Sequence, residues 1–155
     1  MTSKLLNKKP KKVSCGFIIE DPTCKILFCH PTGSGKRYDF PKGIRDDTDA
    51  SDLDAALREL KEETGLSDLD LDMSSVVDLG QKSYSKEKDL HLFLVKSREP
   101  LSNYFLTCES MFITESGRKL PEVDGYVIST LSKEQEFLTD GMKKYLASAI
   151  GIDRL

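Results

Sequence analysis

Three acidic side chains, Glu59, Glu62 and Glu63, stand within one short stretch of the chain. On a helix Glu59 and Glu63 are one turn apart, about 6 Å along the axis, with Glu62 as their i+3 and i+1 neighbour. Like charges packed in this way oppose one another, so the arrangement asks for a compensating cation. Mg²⁺, or Mn²⁺ in its place, takes oxygen ligands, tolerates shared carboxylates and leaves coordination positions to water or substrate phosphates. The chemistry this points to is metal-assisted attack on phosphorus. A solvated, glutamate-rich helix face is the ordinary alternative for Glu62 and Glu63 taken alone.

Such a cluster needs a helix to carry it, and residues 52 to 64 give the strongest helix signal in the chain. Ser51 is a good N-cap with Asp54 three residues on, and Gly65 stands where a left-handed C-terminal residue is wanted. Leu53, Ala56, Leu57, Leu60 and Thr64 recur at helical spacing and form the expected core stripe, leaving Arg58, Glu59, Glu62 and Glu63 away from it. Apolar and β-branched runs predict a hairpin, Val13 to Glu20 and Lys25 to Cys29 around an Asp21-Pro22-Thr23 turn. Further strands are expected at Val76 to Leu79, Leu90 to Val95, Ser110 to Thr114 and Tyr126 to Ile128. A last helix follows, capped by Thr139 or Asp140 and ended by Gly151, with Met142, Tyr145, Leu146, Ala149 and Ile150 on one face. Strands, a central helix, more strands and a terminal helix imply an α/β fold, a mixed sheet with helices on both faces.

At 155 residues the chain fits one domain, expected over residues 13 to 155, behind a flexible basic arm at residues 1 to 12. The 23 Lys and Arg against 26 Asp and Glu give a net charge of -3, so any affinity for nucleic acid has to be local. No apolar run approaches the roughly 18 residues of a membrane span. The basic N-terminus lacks the apolar stretch of a secretory peptide, so a cytoplasmic protein is expected. The four cysteines show no C-x-x-C pairing and read as buried free thiols of a reducing compartment. Gly33-Ser34-Gly35-Lys36 is not a P-loop, because Pro31 and Arg37 occupy places that pattern reserves for Gly and for Ser or Thr. His30 and His91 have no metal-ligand partners at telling spacing and receive no catalytic role.

Arg58-Glu59-Leu60-Lys61-Glu62-Glu63-Thr64-Gly65-Leu66 resembles, at every defined position, the cassette of the Nudix hydrolases, Arg-Glu-aliphatic-any-Glu-Glu-any-Gly-aliphatic. Its chance appearance in a chain of this length is on the order of 10⁻⁵. The family's longer pattern begins with Gly, five residues, Glu and seven more before the Arg. Gly43 precedes Arg58 by one position too many, so the loop carries an insertion. Counting forward from Gly43 puts Asp49 in the place of the Glu, and counting back from Arg58 gives Ala50. Cys15-Gly16-Phe17-Ile18-Ile19, Phe40-Pro41-Lys42-Gly43 and Glu122-Val123-Asp124-Gly125-Tyr126-Val127 are similar to the family's first strand, loop entry and late strand.

The resemblance implies a Nudix-type α/β/α sandwich and Mg²⁺- or Mn²⁺-dependent cleavage of a diphosphate linkage by water. It implies Glu59, Glu62 and Glu63 as metal ligands, with the Gly43 carbonyl as a further one, and Arg58 as the residue that orients Glu59 and the loop. The general base is then a cassette glutamate, Glu115 or Glu122, with Glu122 preferred. The Pro-Lys-Gly variant at Pro41-Lys42-Gly43 is similar to that of diadenosine polyphosphate hydrolases and RNA decapping branches, where Lys42 would hold a phosphate. Tyr84 is similar to a residue that stacks on adenine. A dinucleoside polyphosphate is the expected substrate. ADP-ribose or another nucleoside-diphosphate-linked compound, an RNA 5′ end, or nucleotide sensing without turnover are the alternatives, and RNA is the less favoured partner.

Overall fold

The computed structural model describes residues 10–151. Most of the expected basic arm therefore lies outside the described residues, and its last member, Lys12, already belongs to a strand. The chain runs β1 (Lys12–Glu20), β2 (Ile26–Pro31), β3 (Lys42–Ile44), α1 (Asp52–Thr64), β4 (Leu71–Ser83), β5 (Lys88–Ser97), β6 (Met111–Ile113), β7 (Lys119–Pro121), β8 (Val123–Ser129), α2 (Leu131–Glu134) and α3 (Asp140–Ala149).

The mixed sheet has the order β4-β5-β1-β2-β8, with β3 paired to β1. The two most apolar runs of the sequence meet in it. Gly16 to Ile19 lie parallel to Leu92 to Val95, residue for residue, along the β1–β5 ladder. Burial of Ser14 through Ile19 without a break is what a central strand covered on both faces requires. Alternation then sorts the side chains: Cys15, Phe17 and Ile19 pack with Ala55, Ala56 and Leu60 of α1, while Ile18 packs with Met142, Tyr145 and Leu146 of α3. The result is the expected α/β/α arrangement.

The caps also fall where expected. Ser51 accepts from the Asp54 amide and Gly65 is left-handed at φ 81°. Asp54 does not complete a reciprocal box, because its carboxylate accepts from the Ser51 hydroxyl itself at 2.9 Å. Thr139 caps α3. Three expectations are corrected. The apolar run at Ser110 to Thr114 joins no core sheet; Met111–Ile113 pairs only with β7 and all three residues are exposed. Cys24 is exposed, and Cys108 is half-buried, so only Cys15 and Cys29 are buried thiols. Glu59 and Glu63 are buried rather than solvated, each 8% exposed.

Candidate active site

The short strand β3 brings the Pro41–Gly43 loop to α1. Residues Lys42 to Gly43 pair antiparallel with Gly16 and Cys15, and the Pro41 carbonyl accepts from the Phe17 amide at 3.1 Å. Gly16 permits this approach, since a Cβ there would strike the Pro41 carbonyl oxygen and Lys42. Gly43 is constrained on its other side: a Cβ would land on the Glu59 carboxyl group. The bare Cα is thus the floor against which that acid lies.

Arg58 organises the loop. Its Nε and Nη2 donate to the two oxygens of Asp49 at 2.9 and 2.8 Å, a bidentate fork. Nη2 also donates to the Ile44 carbonyl at 3.1 Å, and Nη1 to Glu59 Oε1 at 2.9 Å and to Glu62 at 3.4 Å. Asp49 therefore reaches the arginine despite its shorter side chain, the inserted residue being absorbed in the turn where Asp49 Oδ2 accepts from the Asp46 amide. The Arg58 hydrogen bonds hold the Asp49 carboxyl down at about 2.

Glu63 faces the other way. Its Oε1 accepts from the Lys42 amide at 3.0 Å. Burial, together with the charge of Glu59 and Asp39, outweighs that bond and pushes the Glu63 carboxyl up to about 8. Burial raises Glu59 as well, against the pull of Arg58, with Glu62 and Glu122 adding to the rise. Burial thus pushes both acids toward their protonated forms, and a bound cation would favour the ionised ones.

A cleft of about 220 Å³ opens beside Glu63, lined among others by Cys29, Asp39, Lys42 and Glu122. Glu122 enters it from the start of β8, where the Ser110 hydroxyl donates to its carboxylate at 3.3 Å. Glu115 sits instead in the exposed turn of the β6–β7 hairpin, outside the cleft lining. Lys42 is held by Asp39 at 2.9 Å and lies 5.6 Å above the Tyr84 ring. Burial lowers its affinity for a proton, but Asp39, Tyr84 and Glu63 more than reverse this, so it stays a cation. The Tyr84 hydroxyl meets Thr139 Oγ1 at 3.0 Å and its ring edge packs over Gly141, so the ring is braced against the start of α3.

Sequence reasoning missed two participants. Asp39, three residues before Lys42, was detectable as a potential partner by its spacing. Tyr126, whose hydroxyl donates to the Glu63 carbonyl oxygen at 2.5 Å, carried no sequence signal.

Among the described residues no three acidic, His or Cys side chains stand in a ready-made metal cluster. Arg58 binds Glu59 and Glu62, while Glu63 is held by the amide of Lys42, the residue next to Gly43, whose Cα lies against the Glu59 carboxyl. The donors nonetheless suit a hard divalent cation, being oxygen only, with Glu59 and Glu63 buried and a cleft open beside Glu63.

A helix-borne acidic set with its own orienting arginine, beside a cleft lined by Glu63, Glu122 and Lys42, suits a hydrolase of phosphoric anhydride bonds. A NUDIX domain model matches residues 10–121, and the chain belongs to the Nudix family. A 17.7 kDa protein of the e-segB intergenic region of Enterobacteria phage T4 is 37% identical over 129 residues, covering 77% of this chain and 83% of the relative. Among solved structures, an Ap4A hydrolase from C. elegans, determined as a binary complex, superimposes with a TM-score of 0.63 at 16% identity, covering 88% of this chain and 93% of that one. The NUDIX domain of Shewanella oneidensis NrtR, complexed with ADP ribose, gives 0.61 at 12% identity, with 93% of each chain covered. At these identities the two structures share the fold. No helix among the described residues is long and apolar enough to cross a membrane.

Proposed function

We propose that the protein is a divalent-metal-dependent pyrophosphohydrolase of nucleotide substrates, with dinucleoside polyphosphates preferred, working in the cytoplasm. The position of Lys42 carries this reading. Its amide holds Glu63 while its ammonium, fixed by Asp39 and Tyr84, points a permanent cation into the cleft beside the acids. A long phosphate chain carries more charge than a diphosphate and gains more from such a cation.

Glu59, Glu62, Glu63 and the Gly43 carbonyl would hold Mg²⁺ or Mn²⁺, which neutralises charge on the bridging oxygens and lowers the pKa of the attacking water. Arg58 keeps Glu59 and the loop in register, and Glu122, lining the cleft with the Ser110 hydroxyl donating to it, would serve as the general base. Tyr84 serves as a brace for Lys42 and as the residue on which an adenine would stack. A neighbouring cavity of about 450 Å³, lined by Lys36, Arg37, Phe137 and Lys143, lies past Thr139 and offers room for the far nucleotide.

The test is turnover with Mg²⁺ of diadenosine polyphosphates, ADP-ribose, nucleoside triphosphates and 5′-triphosphorylated RNA, with products resolved by chromatography. Conversion of diadenosine tetraphosphate to ATP and AMP, with Lys42→Ala raising its KM about tenfold, is the expected result. Turnover of ADP-ribose alone, unaffected by Lys42→Ala, would replace the substrate. Tight binding without turnover of any panel member would replace catalysis by sensing.

A further inference from the structure

The overall charge of -3 conceals a concentration of lysine at one end of the sheet. A cavity of about 580 Å³ is lined by Pro10, Lys11, Lys12, Ile44, Lys86, Glu87 and Lys88, four cations against one acid. The only lysine ion pairs among the described residues are Lys11 with Asp89 at 3.5 Å and Lys42 with Asp39 at 2.9 Å. Lys12, Lys86 and Lys88 are exposed and uncompensated. The register makes this costly: Lys12 and Lys88 are direct cross-strand partners on the parallel β1–β5 ladder, and like charges directly opposite each other destabilise a sheet. The fold does not need them there, since residues of either polarity pair equally well at a strand's exposed start.

We propose that this cavity is a binding site for the phosphate backbone of a single-stranded nucleic acid, separate from the catalytic cleft. Lysines supply mobile point charges with long apolar stems, and Pro10 and Ile44 line the apolar floor between them. No aromatic side chain lines the cavity, so bases have no platform to stack on and recognition rests on the backbone alone. The site lies on the strand that pairs with β3: Lys12 is four residues along β1 from Gly16, the partner of Lys42, a separation of about 13 Å. A strand seated here is held beside the catalytic cleft without occupying it.

The probe is a fluorescently labelled 5′-hydroxyl oligouridylate, which has no anhydride to cleave, titrated with the full-length protein and followed by anisotropy. Three uncompensated lysines give a log K against log salt slope of about −2, or roughly 20-fold weaker binding between 50 and 200 mM salt. The variant Lys12→Gln/Lys86→Gln/Lys88→Gln is expected to bind tenfold or more weakly at 50 mM salt and to lose most of that slope. Oligothymidylate is expected to bind within about threefold of the RNA. The variant's thermal midpoint should hold or rise as cross-strand repulsion is relieved, and its turnover of a small dinucleotide should stay within about twofold. That last readout separates failure of this site from failure of the catalytic reading. Equal binding of variant and wild type, no binding of either oligonucleotide at 50 mM salt, or binding of tripolyphosphate alone would each overturn the proposal.

Discussion

Arg58 and Asp49 show how a departure from a sequence pattern can be repaired by geometry. The insertion between Gly43 and Arg58 left the acid's place undecided between two positions, and only the bidentate contact at 2.8 and 2.9 Å assigns it to Asp49. The carboxylate's folded value of about 2 lies below the ordinary 3.8, so its contribution to stability is fully present above about pH 4 and is lost as pH falls toward 2. Asp49→Asn should therefore destabilise the protein at pH 7 by about 1 to 2 kcal/mol in denaturant unfolding. The gap from wild type should close on acidification to pH 2; a gap independent of pH would mean the pair is not what Asp49 contributes. Glu63 makes the complementary case. Burial already favours its protonated form, so the neutral amide of Glu63→Gln suits the metal-free fold. The variant should keep its thermal midpoint while kcat falls by about 10³ or more. Full activity in that variant would remove Glu63 from the metal set. The spacing of the glutamates was legible in the sequence. Their burial was not, because it depends on Lys42 and Gly43, distant in sequence, folding down over them.

At the scale of elements, the parts with strong local signals are found where periodicity and caps put them: α1 between Ser51 and Gly65, the β1–β2 hairpin, and α3 behind Thr139. β3 left no such trace. Its three residues, Lys42–Ile44, follow a proline, contain a glycine and pair only because Gly16 opens a place for them on β1. Conversely, β6 is apolar yet lies off the core, since an apolar run states that a surface needs covering without naming the sheet that covers it. Stability and catalysis should separate along the same lines. Ser51→Ala removes the α1 cap and is expected to cost about 1 kcal/mol in unfolding free energy with kcat unchanged within twofold. Gly43→Ala drives a methyl group into the Glu59 carboxyl and should lower kcat about 100-fold while the circular dichroism spectrum is retained. Loss of activity in Ser51→Ala comparable to Gly43→Ala would mean that the loop follows the helix end rather than the β3 contact.

For the molecule as a whole, the two buried acids sit on the helix that is clamped across β1, β3 and β5, with Ala55, Ala56 and Leu60 of the same helix in the core. Charge left uncompensated on α1 therefore weighs on the global fold, whereas charge on an exposed helix would be screened by water. A cation that binds the folded chain and not the unfolded one stabilises by about 2.7 kcal/mol at a hundred times its Kd. In a chain of this length that corresponds to a rise in thermal midpoint of about 5 to 10 °C. Scanning calorimetry with Mg²⁺, and again after EDTA, should show that rise and its reversal. Glu63→Gln should abolish most of it, and the lysine variant of the β1–β5 end should leave it intact. A shift of equal size in Glu63→Gln would place the ion elsewhere on an acidic surface. A shift lost only with the lysines would tie the effect to charge repulsion at the far end of the sheet, not to the acids of α1.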